Sequence, residues 1–302
     1  MTFLKKASKY LIDSDYRFIV NANHGLLNSM PDADYLKRRF RIKVGYELNL
    51  ENPHTYNEKI QWLKLNDRNP LYTKLVDKYE VKSYVSSAIG EQYVIPSFGV
   101  WEHFEDIDIS GLPAQFVLKC THDSGGLVIC KDKATFDINR ARKKITKCLN
   151  TIYYYKGREW PYKNVKPRVL AEAYREDPVT GDLRDYKIFV FNGVAKALFI
   201  ATDRQTLGEE TKFDFFDMNG NHLPFTNGHP NAQVLPALPK HLDEMRGLAE
   251  KLGANIPHVR VDFYEVGDQV LFGEMTFAHW GGFTPFEPKE WDYKFGSWID
   301  IP

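Results

Sequence analysis

Hydrophobic positions along the chain follow two rhythms. Through the first 90 residues they recur at helical spacing. Asp34–Lys43 reads as a short basic helix. Thr55–Asp67 opens with Thr55-x-x-Glu58, a capping box in which hydroxyl and carboxylate satisfy each other's orphan N–H groups, and Ile60, Trp62 and Leu63 supply its apolar stripe. Leu71–Ile89 continues in the same style and stops at Gly90. Beyond Gly90 the runs shorten. Val94-Ile95-Pro96, Phe116–Cys120 and Leu127–Cys130 read as strands, with Thr121–Gly126 as a turn, and Asp137–Asn150 reads as a helix N-capped by Asp137. A second β-rich block holds Arg168–Tyr174, Asp185–Phe191, Ala195–Thr202 and Phe213–Phe216, a helix at Lys240–Leu252, then Val259–Tyr264 and Gln269–Met275. Asn192-Gly193 and Gly267-Asp268 carry hairpin-turn chemistry. Strands joined by tight turns predict antiparallel pairing, so the expected class is α+β with at least two sheets. The composition break at Pro161–Pro167 predicts a hinge between two lobes.

Composition narrows the picture. The 302 residues suffice for two lobes, and 43% hydrophobic with 26% charged residues is the balance of a globular protein. Lys+Arg and Asp+Glu number 40 each, which speaks against a nucleic-acid partner. The strip Arg140–Lys147 reads as one solvated helix face. Cys120, Cys130 and Cys148, odd in number and without CxxC spacing, argue against a disulfide framework or a zinc site and for a reducing compartment. Lys5, Lys6 and Lys9 interrupt the N-terminus before any apolar signal region forms, and no stretch approaches the ~20 apolar residues of a membrane span. The expected location is cytoplasmic, with Leu4–Ile12 a surface helix capable at most of weak peripheral membrane contact.

Three segments carry candidate chemistry. In Arg260-Val261-Asp262-Phe263, the Gly267-Asp268 turn and Leu271-Phe272-Gly273-Glu274-Met275-Thr276, antiparallel pairing sets Asp262 beside Glu274. Two adjacent carboxylates repel unless a cation lies between them, and Mg²⁺ takes one or two carboxylates plus phosphate oxygens. Arg260 shares the strand face of Asp262 and is placed to meet a phosphate or a developing oxyanion. Taken alone, the hairpin reads equally well as an exposed face of paired charges. The second segment ends an apolar strand in Lys119 and continues into Thr121-His122-Asp123-Ser124-Gly125-Gly126, an ammonium followed by flexible backbone N–H groups; it is not a Walker A loop. The third is Val169-Leu170-Ala171-Glu172-Ala173-Tyr174 with Asp185-Tyr186-Lys187, an apolar strand ending in an acid. Each of the last two alone reads more readily as ordinary hairpin and strand.

In this order, with Asp77-Lys78 heading a helix, the segments resemble the ATP-grasp superfamily. Asn52–Trp62, Asp77-Lys78-Tyr79, Phe116–Gly126, Asp185-Tyr186-Lys187 and Gly273–Phe277 are similar to the TupA-like branch, associated with teichuronopeptide and other bacterial surface-polysaccharide gene clusters. The resemblance runs from about Leu50 to the C-terminus. It implies a helical region over 1–76 and two ATP-clamping α+β lobes over 77–166 and 167–302. It assigns Lys119 and Lys78 to the phosphates, Ser124, Gly125 and Gly126 to a mobile loop, Glu172 and Tyr174 to the adenine, and Asp185 to the ribose. Lys187 falls near the γ-phosphate, and Asp262, Glu274 and the unusual Thr276 at Mg²⁺. In Phe277–Phe283, bordering the acceptor pocket, His279 is a candidate acid or base and Trp280 a candidate sugar platform, though plain core packing accounts for both as well. The activity implied is carboxylate–amine ligation through an acylphosphate, joining an amino acid or related amine to a carboxylate of a surface polysaccharide or its nucleotide-sugar precursor. Kinase chemistry on a sugar hydroxyl is the alternative. Glycosyl transfer is a weaker one, since Asp106-Ile107-Asp108 lacks a preceding apolar strand.

Overall fold

The computed structural model describes residues 3–178, 181, 183–203 and 210–301, with side chains from residue 5 onward. Two antiparallel sheets organise it. The first runs in the order β1 (Ser97–Trp101), β4 (Val169–Ala173), β2 (Phe116–Cys120), β3 (Leu127–Cys130). The second runs β11 (Gln269–Thr276), β10 (His258–Val266), β5 (Asp185–Phe191), β6 (Val194–Thr202), β7 (Lys212–Asp217), β8 (His222–Leu223), and a short pair joins β9 (Thr226–Asn227) to β12 (Phe286–Glu287). Asn192, Gly193 and Gly267 at the hairpin turns all hold positive φ, the conformation their residue types tolerate. The division at 166/167 places β4 in the second lobe, but its register, Val117 opposite Glu172 and Lys119 opposite Leu170, makes it a central strand of the first sheet. Backbone pairing, rather than the proline-rich break, fixes its allegiance.

The helices are α1 (Phe3–Ile12), α2 (Ser14–Asn23), α3 (Asp32–Val44), α4 (Tyr56–Asn66), α5 (Leu71–Val76), α6 (Glu80–Ile89), α7 (Ile138–Leu149), α8 (Tyr154–Gly157), α9 (Leu242–Leu252) and α10 (Glu290–Gly296). The single helix expected over Leu71–Ile89 is two. Asp77 breaks it by accepting the N–H groups of Tyr79 and Glu80 at 2.8 and 3.1 Å, while the Lys78 N–H binds Thr121 O at the end of β2. Among the described residues no helix is long and apolar enough to cross a membrane. Cys120 and Cys130 are buried in the first lobe's core, as expected of small hydrophobes.

Alternation along the second sheet explains its two faces. Tyr186, Ile188 and Val190 of β5, with Val259, Val261 and Phe263 of β10, point into a core closed by α5, α6 and α9. Their neighbours point the other way. At one end Phe189, Phe191, Phe199 and Phe215 pack under Tyr56 and Ile60 of α4 and Phe295 of α10. Each such buried ring contributes roughly 1.5–3 kcal/mol. At the other end the same face turns polar, with Lys187, Arg260 and Asp262. That is where a cleft opens.

The Asn52–Trp62 segment has a structural purpose here. The capping box forms, Thr55 Oγ1 accepting from Glu58 N and Glu58 Oε2 from Thr55 N. The expected one-sided stripe is instead burial around much of the helix: Asn57, Gln61 and Lys64 are buried alongside Tyr56 and Ile60. Asn57 donates to Asp292 and Thr284 O, and Tyr56 Oη meets His258 Nε2 at 2.9 Å. Gln61 Nε2 donates to the Gly281 and Gly282 carbonyls at 3.0 and 2.7 Å, and Lys64 Nζ to Gly281 O, Gly157 O and Gln61 Oε1. The helix is a strut under the 277–283 loop.

Candidate active site

One wall of the cleft comes from the first sheet. Lys119 on β2 and Glu172 on β4 share the face opposite the Phe116–Leu118 core, and Lys82 reaches them from α6. Glu172 is ion-paired to Lys119 at 2.6 Å and to Lys82 at 2.7 Å. Burial pushes its carboxyl up, but the two ammonium groups outweigh it and hold it below the ordinary range. The carboxylate expected at the adenine thus pairs the two lysines. Lys82 escaped the sequence reading; its one signal is its place a turn beyond Lys78. Lys78 bonds through Nζ to Asp123 O and so tethers the start of the glycine loop. Asp123 Oδ1 in turn accepts from Gly126 N. Gly125 sits at φ +134 with open space around it, whereas a Cβ at Gly126 would strike Cys120. Only the first glycine gives the loop freedom; the second allows close packing. Tyr174 meets Lys131 and Glu176.

The facing wall is a charge cluster on the second sheet. Asp262 and Glu274 are direct partners across β10 and β11, as the hairpin spacing predicts. Asp262 is 1% exposed and receives Arg260 Nε at 2.7 Å, Nη2 at 2.8 Å, and the Lys187 ammonium. Burial raises its pKa, and these cations bring it below the usual carboxylate range. Lys187 also lies 3.5 Å from Asp185. Arg260 Nη2 extends to Glu274 Oε1 and Thr276 Oγ1, both at 3.1 Å, and Nη1 to His279 Nδ1 at 2.8 Å. Glu274 is 43% exposed, with Oε1 on Arg260. The Tyr264 phenol lies between the walls: burial, then Asp185, Glu274, Asp262 and, across the cleft, Glu172 raise its pKa well above the ordinary value.

His279 does not present a free nitrogen. Burial, then the charges of Arg260 and Lys187, hold its pKa well below the ordinary imidazole value, so the ring is neutral. Arg260 donates to Nδ1, which makes Nε2 the protonated nitrogen, and Nε2 donates to Asn227 Oδ1 at 3.1 Å. Asn227 Nδ2 is fixed by the Thr284 and Pro285 carbonyls. This chain aims Arg260. Trp280 is 45% exposed, stacks on Phe213 with an interplanar angle of 23°, and holds φ +51 in a run of three left-handed residues with Gly281 and Gly282.

Beyond the cluster lies a cavity of about 390 Å³. Lys187, Arg260, Glu274 and Thr276 border it on one side, and Asp123 and Ser124 of the glycine loop on another. The 278–283 loop borders it as well, as the resemblance implies, while the remaining wall was invisible in the sequence: Arg39 from α3, and Tyr153, Glu159 and Tyr162 from the segment between α7 and β4.

Two cations, Lys119 on β2 and Lys82 on α6, thus share Glu172 on one side, and Arg260 is fixed among acids on the other. Residues 58–300 match the model of the TupA-like ATP-grasp family, and the chain belongs to that family. Similar solved structures include the biotin carboxylase domain of Hydrogenobacter thermophilus 2-oxoglutarate carboxylase, at 15% identity and TM-score 0.40 over 67% of this chain and 40% of that one. D-alanine-D-alanine ligase from Helicobacter pylori is similar at 13% identity and TM-score 0.42, over 81% and 69% of the two chains. D-cycloserine synthetase DcsG is similar at 13% and 0.44, over 88% and 77%. The chain thus spans well under half the length of the first of these, and TM-scores below 0.5 say nothing about the site. No curated protein matches the chain.

Proposed function

We propose that the protein is an ATP-dependent carboxylate–amine ligase acting through an acylphosphate on a carboxylate-bearing sugar or polysaccharide precursor. The observation that carries this reading is Arg260, its guanidinium held at four partners and bordering a cavity next to the paired acids. Phosphoryl transfer asks little covalent chemistry of a protein; it asks for fixed positive charge where negative charge gathers. Lys119 and Lys82 serve the phosphates from one wall, and Lys187 serves the terminal phosphate from the other. Arg260 faces the oxyanion that forms when a nucleophile attacks the acyl carbon.

The donor set fits Mg²⁺. Among the described residues no three or more His, Cys, Asp or Glu side chains converge, so the protein offers at most Glu274 and Asp262, which suits an ion completed by phosphate oxygens. Glu274 keeps an oxygen open to the cleft, whereas both oxygens of Asp262 are engaged by Arg260 and Lys187 and Thr276 is engaged by Arg260 and Glu274. Glu274 is therefore the leading ligand, with Asp262 joining when Lys187 turns to phosphate. The ion would neutralise charge on the transferring group.

The test is ADP release screened against uronic acids, nucleotide-sugar acids and amino acids. Release that needs both a carboxylate and an amine supports the reading. Release with a sugar hydroxyl alone indicates a kinase, and consumption of a UDP-sugar without ATP overturns the proposal.

A further inference from the structure

The cavity beside Arg260 contains two opposite charges that have no ion pair among the described residues. Glu159 is 8% exposed, lines the cavity, and among the described residues its carboxylate has neither a hydrogen bond nor an ion pair. Burying a carboxylate without a partner is costly. Lys64, Arg39 and Arg260 act on it only through space, and burial raises its pKa. Arg39 lines the same cavity. It spends Nη1 on Tyr35 Oη at 2.8 Å, lies 5.1 Å over the Phe283 ring, leaves Nε buried without a partner, and forms no ion pair among the described residues. Lys64, the cation that acts on Glu159 most strongly, is already committed to Gln61 Oε1 and the Gly157 and Gly281 carbonyls. A carboxylate and a guanidinium facing one cavity, each without a salt bridge among the described residues, complement a ligand that carries both charges.

We infer that this cavity is the amine subsite and that it takes a free amino acid as a zwitterion, its carboxylate on Arg39 and its ammonium on Glu159. The inference rests on the ligase reading for its reaction, but not for its binding. In the reaction the ammonium gives one proton to Glu159, and the freed nitrogen lone pair forms the C–N bond to the acyl carbon. The C–O bond to phosphate breaks, its electron pair leaves with phosphate, and phosphate takes the second N–H proton. Arg260 and Glu274 border the same cavity, so the nitrogen arrives where the acylphosphate forms.

Binding is tested by saturation-transfer NMR on the full chain with the twenty standard amino acids, and with methylamine and acetate, which each carry half of the zwitterion. At least one amino acid should bind, and both half-ligands at least tenfold more weakly. Glu159→Gln and Arg39→Met should each weaken the amino acid at least tenfold, with unchanged circular dichroism verifying the fold. No amino-acid binding, or equal binding of methylamine, overturns the inference, and needs no variant to do so. The proton role is tested with hydroxylamine, which is neutral near pH 7 and attacks acylphosphates unaided. With the carboxylate found in the ADP screen, Glu159→Gln should keep hydroxylamine-dependent ADP release and lose amino-acid-dependent release at least a hundredfold. Loss of both, or of neither, refutes the proton role. Failure of the wild-type protein to release ADP with any carboxylate and hydroxylamine, while still binding an amino acid, would remove the ligase reading and leave the subsite.

Discussion

Arg260 and Asp262, two residues apart on β10, join side chains through paired hydrogen bonds of 2.7 and 2.8 Å, and Lys187 closes on the same carboxylate from β5. Side chains at i and i+2 share a strand face, so the pairing follows directly from strand geometry. Asp262→Asn keeps the shape and removes the charge that two buried cations face. Breaking one partner from a buried ionic cluster costs about 3–5 kcal/mol, so the unfolding midpoint in urea should fall sharply, and ADP release should drop at least a hundredfold as Arg260 loses its aim. An unchanged midpoint would show that Glu274 and Asp185 suffice as counter-ions.

Glu274→Gln should separate stability from turnover. Glu274 is 43% exposed and its ion pair to Arg260 is partly solvated, so the stability change should stay within about 1 kcal/mol. Magnesium-dependent ADP release should nonetheless be abolished, because of the paired acids Asp262 and Glu274 the substitution removes the one with an oxygen still open to the cleft. Normal activity in this variant would take Glu274 out of the metal site.

The parts of this molecule that sequence makes legible are those decided locally. The Thr55–Glu58 capping box, the Asp137 N-cap, the hairpin turns at Gly193 and Gly267, and the pairing of Asp262 with Glu274 each depend on residues within one element or one hairpin. The family and fold class were legible too, because the order of the segments is itself information. What stayed hidden is set by distant partners. Glu172 gives no sign in sequence that Lys82 and Lys119 will claim it, and Arg39 and Glu159 meet one cavity from segments 120 residues apart (159 − 39). The neutrality of His279 depends on burial beneath Arg260, which no periodicity records.

Gly282→Ala should loosen the loop that carries His279 and Trp280. Gly282 holds φ +64, and an added Cβ would lie 2.5 Å from Gln61 Nε2 and 2.8 Å from Ile60 Cγ2. The side-chain amide can shift only by releasing the Gly281 and Gly282 carbonyls it now binds. Left-handed strain and overpacking together should cost about 2–4 kcal/mol. Trp280 reports on the same loop, so its fluorescence should change as well. A variant with wild-type stability and emission would mean that α4 does not brace the loop.

Acid should destabilise the protein through His258. This imidazole, on β10 opposite Phe191 of β5, lies against α4 with Nε2 on Tyr56 Oη, and burial pushes its pKa down to about 3. The unfolded chain binds its proton near pH 6.5, while the folded chain refuses it until about pH 3. The unfolded state therefore holds more protons between those values, and the stability, fully present above pH 6.5, is lost as pH falls through the window. At pH 5 the loss from this group alone is about 2 kcal/mol. His279 titrates in the same direction, while Asp292, raised to about 6 chiefly by burial, gains stability as pH drops and partly masks both. Comparing wild-type protein with His258→Gln cancels those two contributions. Urea unfolding at pH 7 and pH 5 should show the variant losing about 2 kcal/mol less than the wild type. An identical loss in both proteins would mean that His258 is protonated, or exposed, in the folded state.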